Sequence, residues 1–382
     1  MLPALLLLVA SWVLAQDSPA PEPPKTVVVA QDDSGDVRGD DHTAILEAIE
    51  RLGAGGGTVE IRPGHYWFRH TVYLPTGVHL VGEPGVRFAQ PAPKLVTAPA
   101  KAGSLELALD DVTGIAPGTA LQLLPPAGEK TFDGLATMIQ FAMIADVSEA
   151  GVTLQTPLPF DVPPDSRFGY PFKMVWARGS SDVSVTGIAF DGGKREGVPM
   201  PGHHQRTAIW IDSLFSKREG PVKPPAANAV VRACSFENFY GRGVALYNAV
   251  DCTIQSCRFA HLADEAIDFD HYCYRCRAIG NEITDALWGV AINDGSDCVV
   301  ESNHLTDCDV GITIWWLPAL DPKGLNERNV VRGNFVHGSR EALSVLKNAN
   351  HNLIEDNFLE GAVHIVENTN TSVRNVVRGG SR

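Results

Sequence analysis

Four acidic residues, Asp264, Glu265, Asp268 and Asp270, fall within seven positions, and His271 follows them directly. Crowded carboxyl groups raise one another's pKa, so that one can stay protonated as an acid beside an ionised base. Asp268 and Asp270 stand two residues apart. In an extended strand that is roughly 6 to 7 Å, close to the separation of about 6.5–9.5 Å at which an inverting glycosidase places a water between acid and base. A single aspartate would be read as a solvated strand residue that keeps the chain soluble. Four of them beside a histidine make Asp264, Glu265, Asp268, Asp270 and His271 candidate catalytic residues.

What must position these acids is a repeat. A six-residue pattern recurs as Val231-Cys234-Phe236, Ile254-Cys257-Phe259, Ala278-Asn281-Ile283, Val300-Asn303-Leu305, Val331-Asn334-Val336 and Ile354-Asn357-Leu359, with Val185-Ile188-Phe190 as a degenerate earlier copy. Successive copies start 23, 24, 22, 31 and 23 residues apart. That period lies where leucine-rich repeats and parallel β-solenoids compete. The leucine-rich consensus is absent, apolar and polar residues alternate as in short strands, and no helical run separates the copies. Each copy is therefore read as one rung of a β-helix, with equivalent side chains stacked about 4.8 Å apart. Asn at a fixed turn position can then hydrogen-bond from rung to rung. A second column reads Cys252, Cys276, Cys298, Asn329 and Asn352. The cysteines hold repeat positions, so they are read as scaffold and expected to be buried free thiols.

Each rung also carries a strand that opens on a small residue, such as Ala266-Ile267-Asp268-Phe269-Asp270-His271. Alternation sends the apolar residues inward and the others outward, in three columns. The first is Trp210, Ala245, Asp268, Ala291, Thr313 and Ser344; the second Asp212, Tyr247, Asp270, Asn293, Trp315 and Leu346; the third Ser213, Asn248, His271, Asp294, Trp316 and Lys347. Small residues in the first column predict a groove with Asp268 at its middle. Trp315 and Trp316 are candidates for stacking on sugar rings. Asp212, Tyr247, Asn293, Asp294 and Lys347 are further substrate-binding candidates. Segments 192–206, 214–227 and 317–328 are read as loops walling the groove, from which His203, His204 and Arg206 can reach substrate.

Nearer the N-terminus, Asp40-Asp41 precede Ala44, Ile45, Ala48, Ile49 and Leu52, an apolar stripe at helical spacing that stops at Gly53. Gly55-Gly56-Gly57-Thr58-Val59-Glu60-Ile61-Arg62-Pro63-Gly64 then reads as turn, strand, turn. From Asp40 to Tyr66 this order resembles the opening of the pectate-lyase-like β-helix superfamily, and the later repeat agrees with it. The resemblance implies a right-handed parallel β-helix whose short N-terminal helix caps the solenoid, covering strand edges that would otherwise aggregate. It also implies a carbohydrate-active enzyme. The polygalacturonase-like hydrolases place an acidic pair before the equivalent strand, and Asp264-Glu265 match that place. Where those enzymes bring an Asp from the preceding rung and a His from the following one, this chain has Arg242 and Trp288. The lyase alternative would hold Ca2+ on Asp264, Glu265, Asp268 and Asp270, with Lys347, Arg242 or Arg206 as base. In the epimerase alternative, Asp268-Phe269-Asp270-His271 is loosely similar to an Asp-Pro-His motif. A glycan-binding β-helix without catalysis is the remaining class.

The chain divides on this reading into a signal peptide (1–15), a Pro-rich tether and first strand (16–36), the cap and first rungs (37–94), a small β insertion (95–172) and the remaining rungs (173–382). The apolar run Leu5 to Ala10, with Val13-Leu14-Ala15 before Gln16, is the secretory feature, so the mature protein is expected outside the cytoplasm, secreted or periplasmic, with no membrane span. The insertion is read first as a stabilising module and second as a cleft wall. A net charge of −14 argues against nucleic acid, which needs clustered positive surface. A polysaccharide or oligosaccharide is the expected partner. Hydrolysis by paired carboxylates needs no cofactor or metal.

Overall fold

The computed structural model describes residues 25–126, 131–132, 135–136, 140–200, 206–315, 324–346, 348–366 and 370–378. The secretory segment and residues 16–24 of the tether lie outside them. Twelve strands stack in parallel to form one long sheet, from Val37–Arg38 and Thr26–Ala30 to Thr371–Val373. A seventeen-stranded sheet wraps the other faces, and a short four-stranded sheet, Ala226–Ala227 to Gly295–Ser296, fills the remaining corner. This is a parallel β-helix. The register runs Val231, Ile254, Ala278, Val300, Val331, Ile354 straight across neighbouring rungs, as the repeat predicts.

The corners explain the repeat. Ser256, Gly280, Ser302, Gly333 and Asp356, each just before a ladder position, adopt left-handed φ values of 53° to 61°. That conformation disfavours most side chains, so it persists only where the surroundings hold it. What holds it is the ladder. Asn281 donates to Oδ1 of Asn303 at 2.9 Å, Asn303 to Asn334 at 3.0 Å and Asn334 to Asn357 at 2.9 Å. The row continues to Asn375, and a parallel one runs from Asn329 through Asn352 to Asn370. All seven cysteines are buried free thiols, and the backbone N–H of Cys257 donates to Asn281. Inside, Phe190, Phe236 and Phe259 stack with centroids 5.1 and 4.7 Å apart.

Helix His42–Leu52 closes the N-terminal end. Asp41 caps it by accepting from the Thr43 N–H at 2.9 Å, and Ala44, Ile45, Ala48, Ile49 and Leu52 are its buried stripe. Residues 94–169 contribute an antiparallel six-stranded sheet with its own apolar core around Leu121, Ile144 and Phe168. This sheet is bolted to the solenoid. Leu124 packs with Met200 and Tyr240, Arg206 donates to Gln122 at 2.6 Å, and Arg195 pairs with Asp110 at 2.6 Å. Tyr240 is only two residues from Arg242, so the inserted sheet stands beside the acid-bearing face.

Candidate functional site

The strand Arg258–Phe269 carries the acids, flanked by Val244–Tyr247 and Glu282–Ile292. Register places Asp268 between Ala245 and Ala291, as the column reading requires. Close approach selects the small residues that open these strands: a Cβ on Gly243 would lie 2.6 Å from the Ala266 carbonyl oxygen, and one on Gly289 2.5 Å from that of Gly311. A feature not legible in the sequence sits just before. Leu262 and Glu265 are three residues apart but pair with Ala286 and Trp288, which are two apart, so the strand bulges at Asp264. Bulges re-aim side chains, and here Asp264 and Glu265 point with Asp268 toward one guanidinium.

That guanidinium is Arg242. Its Nε lies 2.5 Å from Glu265 and 3.6 Å from Asp264, and its Nη1 2.8 Å from Asp268 and 3.8 Å from Asp270; Nη1 also donates to the Tyr247 hydroxyl. Asn293 completes the cage by donating to Asp268 at 2.7 Å. Four carboxyl groups around one cation cannot all ionise cheaply out of water. Burial, then the hydrogen bond and charge of Asp264, push Glu265 up to about 8 against the pull of Arg242. Burial and the neighbouring carboxyls also raise Asp268 well above the usual carboxylate range. The cluster as a whole therefore keeps protons at neutral pH.

One expectation needs correcting. The small-residue column is no open groove, because Asp268, Ala245 and Ala291 are all 0% exposed. A carboxyl group held by Arg242 at 2.8 Å and by Asn293 at 2.7 Å is closed off from solvent. Asp264 and Asp270, at 8% and 7%, are buried too, but less completely.

The other candidates divide. His271 lies at the rim: its backbone N–H donates to Asp270 at 2.8 Å, its ring is 3.4 Å from the same carboxylate, and Phe215 and Tyr247 flank it. Tyr247 and Asn293 belong to the cage, where their hydrogen bonds to Arg242 and Asp268 position the acids. Asp294 is 1% exposed and accepts from the Leu325 N–H at 2.8 Å, which makes it an anchor for the chain there, not a surface contact. Asp212 is half-buried and accepts from the Trp176 indole at 2.7 Å. Trp315 is half-buried in the second column. Arg206 does not join the acids, since its buried side chain is committed to Gln122 of the inserted sheet. Trp316, Lys347, His203 and His204 lie outside the described residues.

Two features escaped the sequence reading. Arg242 stood out there only as a departure and a candidate base, although a lone cation one rung from four acids was a signal of charge compensation. The strand Val175–Arg178 pairs with Ile209–Asp212 and extends the outward columns backward, adding Trp176 and Arg178. Its alternation, Val175-Trp176-Ala177-Arg178, matches Ile209-Trp210-Ile211-Asp212 and was there to be found.

Residues 174–319 match the family model described as a right handed beta helix region. No curated protein matches the chain significantly. Among solved structures, the N-terminal fragment of bacteriophage phi29 gene product 12 aligns with a TM-score of 0.50 at 10% identity, over 82% of this chain and 44% of that one. The chain thus spans less than half the length of that fragment. Polygalacturonase from Erwinia carotovora ssp. carotovora aligns with a TM-score of 0.45 at 11% identity, over 94% and 84% of the two chains. The tailspike protein of E. coli bacteriophage HK620, solved with a pentasaccharide, gives 0.48 at 13% identity over 89% and 59%. Identities this low speak to fold alone. The right-handed parallel β-helix expected from the N-terminal resemblance is borne out.

Proposed function

We propose that the protein is an exported enzyme that hydrolyses a glycosidic bond in a polysaccharide, with the Arg242-centred acid cluster as its active site. The observation that carries this is one guanidinium held among four carboxyl groups, all buried, of which Asp264 and Asp270 keep the most side-chain exposure, 11% and 10%. Asp264 and Asp270 approach different nitrogens of Arg242, at 3.6 and 3.8 Å. Here they are taken as the pair that an inverting glycosidase sets about 6.5–9.5 Å apart. Asp264 shares a hydrogen bond with Glu265, whose pKa near 8 keeps a proton between them at neutral pH. This pair is the general acid, delivering its proton to the leaving oxygen. Asp270, aligned by His271, is the general base that takes a proton from the attacking water. Asp268, Arg242, Tyr247 and Asn293 fix the electrostatics from behind.

A calcium-dependent lyase or an epimerase is the weaker reading, because Arg242 already fills the centre of the carboxyl set that an ion would need. Export rests on the apolar run from Leu5 to Ala15. Among the described residues no helix is long and apolar enough to cross a membrane.

The test is release of reducing ends from a panel of polysaccharides by the wild type, Asp270→Asn and Asp264→Asn. Each substitution is expected to cost at least about 10² in rate with the thermal midpoint held within a few degrees. Wild-type rates in both variants would remove the assignment, and an unsaturated product with its ultraviolet absorbance would replace hydrolysis by elimination.

A further inference from the structure

The outward column that holds Asp268 begins four strands away from it. In register it runs Tyr73, Trp176, Trp210, Ala245, Asp268. The aromatic end of this row is tightly ordered. Tyr73 and Trp176 stack with centroids 5.4 Å apart, and the Arg178 guanidinium lies 5.0 Å from the Trp176 ring. Nζ of Lys173 is wedged between the rings of Trp176 and Trp210, at 4.6 and 4.3 Å, and Asp212 holds the Trp176 indole N–H. Trp210 in turn lies flat on Tyr247 at 4.5 Å, and the Tyr247 hydroxyl reaches Arg242. The row is thus mechanically continuous with the acid cluster.

Accessibility divides it. Trp210 and Tyr247 are buried, whereas Tyr73 is 52% exposed, Trp176 half-buried and Arg178 exposed. One face of Tyr73 rests on Trp176, which leaves the other turned outward. A rigid aromatic face beside a forked five-donor cation is what a sugar ring asks for: its C–H face lies on the ring while its oxygens accept from the guanidinium.

We propose that Tyr73, Trp176 and Arg178 form a second glycan subsite, which grips an uncleaved stretch of the chain that the acid cluster cuts. Only the cutting rests on the hydrolase reading; the grip does not. Four strand spacings separate Tyr73 from Asp268 in the column, about 19 Å, so only a chain several sugars long can occupy both places. The subsite therefore selects for polymer over short oligosaccharide.

The experiment is native gel electrophoresis of the full protein through gels containing polygalacturonate, xylan, alginate or β-glucan. It is run on the wild type, Tyr73→Ala, Arg178→Ala and Asp270→Asn. The wild type and Asp270→Asn are expected to be retarded by the same polysaccharide, and Tyr73→Ala and Arg178→Ala to bind it at least fivefold more weakly. On that polymer KM should rise by the same factor while kcat stays within twofold, the mark of binding lost equally from ground and transition states. Retardation of the wild type by none of the four, unchanged retardation of both surface variants, or a loss confined to kcat would overturn the subsite. Full turnover by Asp270→Asn would sink the catalytic reading instead, and the subsite would still stand or fall on the gels.

Discussion

Nη1 of Arg242 lies 2.8 Å from Oδ2 of Asp268, with neither side chain more than 6% exposed. A guanidinium this deep depends on the carboxyl groups around it, since water cannot take their place. Arg242→Met should therefore cost about 3–5 kcal/mol at pH 7, measured by urea denaturation. At pH 9 Glu265, whose pKa is about 8, has also given up its proton, so the loss should be larger there. A variant as stable as the wild type at both pH values would show that the cage is not held together by charge.

The proton on Glu265 predicts the alkaline side of the activity profile. Its pKa, pushed up to about 8 mainly by burial, means the general acid is spent as pH rises through that value. Turnover should decline above pH 8. Glu265→Gln, which has no proton to lose, should alter or abolish that limb; a limb unmoved in the variant would place the acid elsewhere.

The same shift has a stability consequence with a definite sign. Glu265 binds its proton more tightly in the folded chain than in the unfolded one, where its pKa is about 4.3. Its contribution is full below that value and is lost as pH rises through about 8. Thermal midpoints should therefore decline for this reason between pH 5 and 8, and the decline should be shallower in Glu265→Gln.

His42 works in the opposite direction. Burial at the start of the helix, beside Asp41, His70 and Arg69, lowers its pKa to about 4. The unfolded chain holds that proton from about 6.5 downward, so the contribution is full above pH 6.5 and is lost as pH falls through 4. The wild type should lose stability on acidification over this range faster than His42→Gln. Parallel melting curves for the two proteins would place the acid sensitivity elsewhere.

How far the site could be read in advance depended on which physical rule set each part. Stacking repeats rung by rung, so the columns through Asp268, Asp270 and His271 follow from aligning the strands that open on a small residue and alternate apolar with polar. Burial is not periodic. Asp268 is closed in by Arg242 and Asn293, residues from the neighbouring rungs, and no property of its own strand says so. The bulge at Asp264 adds one residue to a strand without changing its composition, so it too left no trace. Trp176 and Arg178 are concealed for a different reason: the insertion separates them from Tyr73, and they precede the first copy of the repeat, at Val185. Asn370 and Asn375 were missed because the last rungs follow after 18 residues, short of the usual period.

The ladder offers the sharpest energetic contrast in the molecule. Asn303 donates to Ala278 and Asn334 and accepts twice from Asn281, all of it buried. Asn303→Ala strands several of those groups, and each unsatisfied one costs about 1–3 kcal/mol, so a loss of at least about 3 kcal/mol is expected. Asn375 makes the equivalent bonds at the far end, where it is half-buried and water can substitute. Asn375→Ala should lose about 1 kcal/mol or less. At the other end of the row Cys257 already donates its N–H to Asn281 but brings no amide. Cys257→Asn would add one that can donate to Oδ1 of Asn281, as the later ladder residues do, and to the Val231 carbonyl, which Sγ now meets at 3.7 Å. Urea midpoints should rank Cys257→Asn at or above the wild type, then Asn375→Ala, then Asn303→Ala. Equal losses at positions 303 and 375 would mean that the ladder does not derive its strength from burial.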